Sequence, residues 1–280
     1  MATMPITKKS SEYALGYTNA EHDRLIRQAA RIAPITERLF RGAGIGPGHR
    51  VLDVGSGVGD VSMLLAQIVG PSGEVVGFER DADSIAQARA RAEEAGIRNV
   101  NFIKSDVSQI SVDRPFDAVA GRFILMFLPD PASILLSLTR ALKPGGVVAF
   151  QEPSWCPFLV FNHRYPLYSE LLHAIHETFL RSGVNPEMGP DLYRIFQEVG
   201  LPAPSIHMET AMGCDVEFIS LCSDVIGSLR PLAREHNVSL DGLGDIETLP
   251  QRIHEEVTAM KGVLSLIPLV GVWARKPMTA

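Results

Sequence analysis

The residues best equipped for chemistry crowd into one short stretch, "VLDVGSGVGD" at 51–60, with glycines at 55, 57 and 59 and acids at 53 and 60. Gly55, Gly57 and Gly59 follow directly on an apolar run. At a turn from a strand into a helix, glycine lets a ligand come close to the backbone and to the helix N-terminus. The dinucleotide fingerprint is G-x-G-x-x-G, however, and Asp60 stands where its third glycine belongs. With Asp53 two residues before Gly55, a pyrophosphate would meet two carboxylates in a partly desolvated cleft, which Coulomb repulsion makes costly. The charges favour a ligand that carries positive charge. Asp60 also suits the first turn of a helix, where the macrodipole favours an acid.

Further along, Glu79 lies 20 residues after Gly59, where a carboxylate accepts hydrogen bonds from a ribose diol. NAD and S-adenosylmethionine both carry that ribose, so the spacing points to an adenosine-type ligand without choosing between them. Asp106, in "KSDV" at 104–107, is placed to accept from an adenine amino group, and Val107 to cover the ring edge and offer its N–H.

Elements that would position these groups alternate between residues 50 and 150, the pattern of βαβ units on a parallel sheet. Strands are expected at 51–54, 74–79, 100–104, 116–121 and 147–152, with helices in "DVSMLLAQIV", "ADSIAQARARAEEAG" and "DPASILLSLTRALKPGG". Ahead of them, "NAEHDRLIRQAARIAPITERLF" carries an apolar stripe of Leu25, Ile26, Ala29, Ile32 and Ile35, interrupted by Pro34. It reads as one or two helices. Later, "GPDLYRIFQEVGL" reads as a helix, "SIHMETAM" as a strand, and "LIPLVGVWARKP" as a closing strand that begins at Pro268. Two connections, 155–188 and 214–262, are too long for turns and contain helical patterns, so they are expected to form a helical cap.

Together "VLDVGSGVGD", "VVGFERD", "FIKSDV", "FDAVAGRFILMFLPDP" and "LKPGGVVAFQEP" resemble the class I S-adenosylmethionine-dependent methyltransferases, and among them the ubiquinone/menaquinone-biosynthesis-like small-molecule branch. The likeness spans roughly residues 45–155 with its motifs in order. It implies an α/β, Rossmann-like fold with a seven-stranded sheet of order 3-2-1-4-5-7-6, strand seven antiparallel. The expected division is an N-terminal helical segment at 1–44 covering the cofactor, a core at 45–154, 189–213 and 263–280, and the cap. The resemblance further implies that Asp53, Gly55, Ser56 and Gly57 hold the methionine moiety. Glu79 would take the ribose, Arg80 would lie against the adenine, and Asp106 with Val107 would hold its edge. Gly121 and Arg122 would complete the methionine pocket, with Tyr13, Tyr17 and Gln28 covering it. Arg122 reads equally well as a salt-bridge partner of Asp130 or Glu152. "GRFI" after strand four departs from the [DNS]-P-P-[YF] pattern of enzymes that methylate nucleic-acid amino groups.

Such an enzyme transfers a methyl group by in-line displacement to an O, C or N atom of a small, fairly apolar metabolite. It needs a general base only if the nucleophile arrives protonated. His176 is the first candidate base, His173 the second and Glu152 the third. His176 follows Leu172 by four on a helix whose apolar face is Tyr168, Leu172, Ile175 and Phe179, so it is expected to turn inward. The two histidines lack a third ligand, and no metal site is read. An NAD(P)-dependent oxidoreductase is the first alternative, disfavoured by Asp53, Asp60 and the lack of a Tyr-x-x-x-Lys relay; a non-catalytic S-adenosylmethionine-binding protein is the second.

Composition narrows the partners. A net charge of −6, with no basic run beyond "ARKP", gives no attraction for nucleic acid. Three cysteines without CxxC spacing point to neither disulfides nor zinc, which suits a cytoplasmic home. No apolar stretch reaches the roughly 18 residues of a membrane span. A monomer or homodimer is expected.

Overall fold

The computed structural model describes residues 14–107 and 114–278. Among them a seven-stranded sheet has the order β3-β2-β1-β4-β5-β9-β6. Its strands are β1 (Arg50–Val54), β2 (Glu74–Glu79), β3 (Val100–Lys104), β4 (Phe116–Arg122), β5 (Leu142–Pro153), β6 (Ser205–Glu209) and β9 (Leu269–Arg275). The first five pair in parallel, and β9 runs antiparallel between β5 and β6. Counted along the chain, this is the expected order 3-2-1-4-5-7-6.

Both faces of the sheet are covered, so its central strands read as continuous apolar runs rather than alternating ones. Val51, Ala118, Ala120, Val147 and Ala149 pack beneath α2 (Asp60–Val69) and the end of α1 (Asn19–Gly42). Leu52, Val119, Val148 and Phe150 face the other way, into α4 (Pro131–Arg140) and α7 (Met188–Glu198). The same apolar interior continues without a break into α5 (Trp155–Asn162), α6 (Pro166–Ser182), α8 (Val216–Glu235) and α9 (Leu249–Ala259). α3 (Ala82–Glu94) covers β2 and β3.

One choice the sequence leaves open is settled, and one expected strand differs. α1 runs as one helix through Pro34, because the carbonyl that Pro34 leaves without a donor belongs to exposed Ala30, where water can replace the bond. The strand expected over 205–212 breaks at Thr210, whose hydroxyl donates to the Leu266 carbonyl at 2.7 Å. Beyond the break, β7 (Met212–Gly213) leaves the sheet and pairs with β8 (Leu264–Ser265). Among the described residues no helix is long and apolar enough to cross a membrane.

Candidate functional site

The turn between β1 and α2 is built from hydrogen bonds to its own neighbours. Gly55 and Ser56 donate their N–H groups to the Phe78 carbonyl at 2.9 and 3.0 Å, Gly59 donates to the Ser56 carbonyl at 2.9 Å, and Gly57 donates to Glu79 Oε2 at 2.9 Å. Four N–H groups of the turn are therefore committed internally, whereas a phosphate nest needs them turned outward. The turn offers closeness instead. At Gly57, with φ +51°, an added Cβ would meet nothing within 4 Å, so the backbone borders open space there. Gly77 of β2 lets the turn sit so low, since a Cβ there would fall 2.9 Å from Ser56 Cβ and 2.8 Å from Ser62 Oγ. Ser56 Oγ is buried and has no partner in the protein.

Beneath the turn, Asp53 is 1% exposed and accepts from Ser62 Oγ at 2.5 Å. Burial pushes its carboxyl up to about 7, against the Ser62 hydrogen bond and the positive charge of Arg122. Asp60 instead pairs with Arg91 of α3 at 2.7 Å, so it fastens α2 to α3. Glu79 ends β2 almost fully buried; its Oε1 accepts from the N–H groups of Arg80 at 2.8 Å and Asp81 at 3.0 Å. With the Gly57 bond this carboxylate holds three backbone donors, and its lone pairs retain room for a hydroxyl.

Along the same edge, Arg80 Nε donates to the Tyr17 hydroxyl at 2.7 Å, and the guanidinium lies 5.9 Å from that ring. The lead into α1 thus reaches the end of β2. Asp106 is exposed past β3 and Val107 packs partly buried against the core; the N–H of Ser105 donates to the Glu79 carbonyl at 2.9 Å and aligns the two strand ends. Tyr13 lies outside the described residues.

Gly121 sits between Phe150 and Ile124, at 2.6 and 3.0 Å from an added Cβ. Arg122 bonds neither Asp130 nor Glu152, in contrast to the salt-bridge reading. Asp130 accepts from Ser133 N–H at 3.0 Å and caps α4. Arg122 donates to Thr36 Oγ1 at 2.9 Å, and Thr36 donates to Gln151 Oε1 at 2.7 Å. Burial holds the Arg122 pKa below its ordinary value, opposed by the charges of Asp60 and Asp53. Gln151 Nε2 is buried beside this chain without a partner in the protein.

The next residue, Phe123, has φ +54°, strained for a bulky side chain, and its N–H donates to the Gln151 carbonyl at 3.0 Å. A 3₁₀ turn over Leu125–Phe127 follows. Glu152, fully buried at the end of β5, receives the N–H groups of Ile124 and Leu125 at 2.9 Å each and of Met126 at 3.3 Å. Burial pushes its carboxyl up to about 7, although those three donors favour the charged form. Its oxygens are thereby committed to shaping the turn.

A cavity of about 90 Å³ opens one residue past Arg122, among Phe123, Met126, Trp155, Phe158, Ile175 and Phe179, with Arg24, Gln28 and Cys222 as polar members of its wall. Neither histidine lines it. α6 presents Ile175 and Phe179, while His176 is half-buried with its ring 5.7 Å from Trp155, and burial lowers its pKa. His173 is exposed and bonds the Ser169 carbonyl through Nδ1 at 2.7 Å.

Sequence reasoning missed Gly77, Thr36, Gln151 and the charged pair Glu21–Arg24. That pair is buried, with Arg24 Nε and Nη2 at 2.7 and 2.6 Å from the Glu21 carboxylate. A signal existed only for Gly77, a glycine inside an apolar strand, which marks close approach.

A family model described as a methyltransferase domain matches residues 45–200. A demethylmenaquinone methyltransferase of Staphylococcus aureus is 30% identical over 176 residues, which cover 59% of this chain and 72% of the relative. Among solved structures, a SAM-dependent methyltransferase from Aquifex aeolicus aligns over 92% of this chain and 98% of its own, with a TM-score of 0.52 and 16% identity. The YcgJ protein of Bacillus subtilis aligns over 86% and 97%, with a TM-score of 0.55 and 15% identity. These two share the fold.

Proposed function

Because the chain belongs to the methyltransferase-domain family and is an S-adenosylmethionine-dependent methyltransferase, we propose that the β1–α2 turn holds the methionine end of that cofactor and that the cavity beside Phe123 receives the methyl acceptor. The residues fit the group on their own chemistry. Ser56 Oγ and Gln151 Nε2 are buried polar atoms that a ligand can satisfy, Gly57 borders open space, and Asp53 provides negative charge for an ammonium. Arg122 would face the carboxylate, Glu79 the ribose, and Arg80, Asp106 and Val107 the adenine, with Tyr17 closing over them.

Bound there, the cofactor supplies an electrophilic methyl group on a sulfonium, open to in-line attack. The chain's part is to orient the acceptor against it and to exclude water, for which Trp155, Phe158, Phe179 and Phe123 provide an apolar wall. The acceptor is a small, fairly apolar molecule; the Staphylococcus aureus relative is named for a quinone, demethylmenaquinone. The chain works as a monomer or homodimer in the cytoplasm, where its three free cysteines stay reduced.

The observation that carries this reading is the unpartnered Ser56 hydroxyl beside open Gly57. Thermal-shift measurements with S-adenosylhomocysteine, S-adenosylmethionine and NAD test it. The first two should raise Tm with concentration and NAD should not. Stabilisation by NAD alone would overturn the site assignment.

A further inference from the structure

We propose that Glu152 is a positioning residue for methyl transfer: its carboxylate fills a backbone nest at the end of β4, holds the turn that walls the acceptor cavity, and so sets the size of acceptor admitted. This rests on the cavity beside Phe123 being the acceptor site. Four consecutive N–H groups leave β4 and end on two consecutive residues of β5. Phe123 donates to the Gln151 carbonyl at 3.0 Å, Ile124 and Leu125 donate to Glu152 Oε1 at 2.9 Å each, and Met126 donates to Oε2 at 3.3 Å. N–H groups converge on an anion in this way where a left-handed residue precedes a right-handed one, and Phe123 at φ +54° precedes Ile124 at φ −119° and ψ −44°. A phenylalanine keeps a left-handed backbone only where its surroundings impose it. Here the carboxylate in the nest does so, together with the Gln151 carbonyl.

The turn so held touches both sides of the reaction. Ile124 packs where two neighbours lack side chains: a Cβ on Gly55 would fall 2.6 Å from Ile124 Cδ1, and one on Gly121 would fall 3.0 Å from its Cγ2. Glycine at those positions lets Ile124 seat directly on the β1–α2 turn. On the other side Phe123 and Met126 line the cavity. The Met126 carbonyl accepts from the Asn185 N–H at 2.9 Å, which ties the far end of the turn to the residues before α7. In a cavity of only about 90 Å³ the place of these two wall side chains decides which rings fit. Both oxygens of Glu152 are spent on holding that wall, so its contribution is reach and not proton transfer.

The test sets reach against charge. The protein, saturated with S-adenosylhomocysteine, is titrated calorimetrically with phenol and with 1-naphthol, and the ratio of the two affinities is read. A role in stability alone would lower both affinities together and leave that ratio where it is. Phe123→Gly removes a wall side chain outright and should move the ratio about tenfold or more toward 1-naphthol. Glu152→Asp keeps the charge but withdraws the carboxylate by one C–C bond, about 1.5 Å, out of hydrogen-bonding range of the turn as it stands. It should shift the ratio about threefold or more. Glu152→Gln keeps the reach without the charge, and its oxygen still accepts from Ile124 and Leu125, so it should retain the parent's ratio. Urea unfolding adds a reading that needs no ligand: Glu152→Asp should cost less in a Phe123→Gly background than in the parent, because glycine takes a positive φ without help. A parent-like ratio in Glu152→Asp, a ratio in Glu152→Gln shifted as far as in Glu152→Asp, or equal unfolding costs in the two backgrounds would each overturn the proposal. A parent-like ratio in Phe123→Gly, or no binding of either ring to the parent protein, would instead overturn the assignment of the cavity to the acceptor.

Discussion

Glu79→Gln puts the cofactor edge under the sharpest strain that a single isosteric change can apply. The carboxylate now accepts three backbone N–H groups, from Gly57 on Oε2 and from Arg80 and Asp81 on Oε1. A carboxamide has one oxygen and one NH₂, so it cannot serve both sides. Its oxygen should turn to the two donors at Arg80 and Asp81, leaving its NH₂ against the Gly57 N–H. The part-buried Gly57 N–H then loses its acceptor, a cost of about 1 kcal/mol. The ribose hydroxyls at the same time exchange a charged acceptor for a neutral one. The second effect alone enters the affinity and should weaken S-adenosylhomocysteine binding by roughly tenfold, at about 1.4 kcal/mol per factor of ten, while the first falls on the free and bound protein alike. Calorimetric titration reads the affinity, and urea unfolding of the ligand-free protein reads the first cost separately. Parent-like affinity would show that Glu79 does not meet the ribose. Unchanged urea stability would show that the carboxylate does not hold the turn.

Other expectations follow from the same geometry. Ser56→Ala should act with opposite signs, raising ligand-free stability by about 1 kcal/mol, because an unpartnered buried hydroxyl is removed, while lowering S-adenosylhomocysteine affinity several-fold; a fall in both would mean the hydroxyl has a protein partner. Burial raises Asp53 from 3.8 to about 7, so the charged carboxylate destabilises the fold by an amount that is absent well below pH 3.8, grows between the two values and is complete above pH 7. A bound ammonium offsets that penalty, so S-adenosylhomocysteine affinity should rise with pH through about 7, and a profile equally steep in Asp53→Asn would assign the titration elsewhere. Gly77→Ala places a Cβ within 2.9 Å of Ser56 and Ser62 and should lift the turn, lowering both Tm and ligand affinity; unchanged affinity would show that the turn's height above β2 is immaterial.

The regular elements were legible because their periodicity is strong and their register is enforced by burial. The residue ranges expected for β2, β3 and α2 coincide with those observed: β2 is a continuous apolar run buried on both faces, and in β3 a one-residue slip would turn Phe102 out of the core. The split of β6 from β7 had no comparable signal: it depends on a hydroxyl–carbonyl bond between Thr210 and Leu266, residues far apart in the chain. At the site, the glycines and acids of 53–60 and Glu79 announced themselves by spacing, because a turn into a helix is a local structure. Glu21 and Arg24 did not, since charges on an amphipathic helix read as a solvated face until α8 covers them. The role of Glu152 was hidden for the same reason, because its three partners belong to a turn that packs onto β5 only in three dimensions.

The first turns of α1 and the residues leading into it are stitched to two separate parts of the molecule. Tyr17 meets Arg80 and His22 meets Ser84 on the β2–α3 side, at 2.7 and 3.1 Å, while Glu21 and Arg27 meet Ser228 and Asp224 on α8, at 2.8 and 2.6 Å. One helix end is thus a party wall between the end of β2, where we propose the adenosine binds, and the aromatic cavity. Peeling it from either neighbour would open both sides together, so a change that loosens this helix end should affect binding at the two alike.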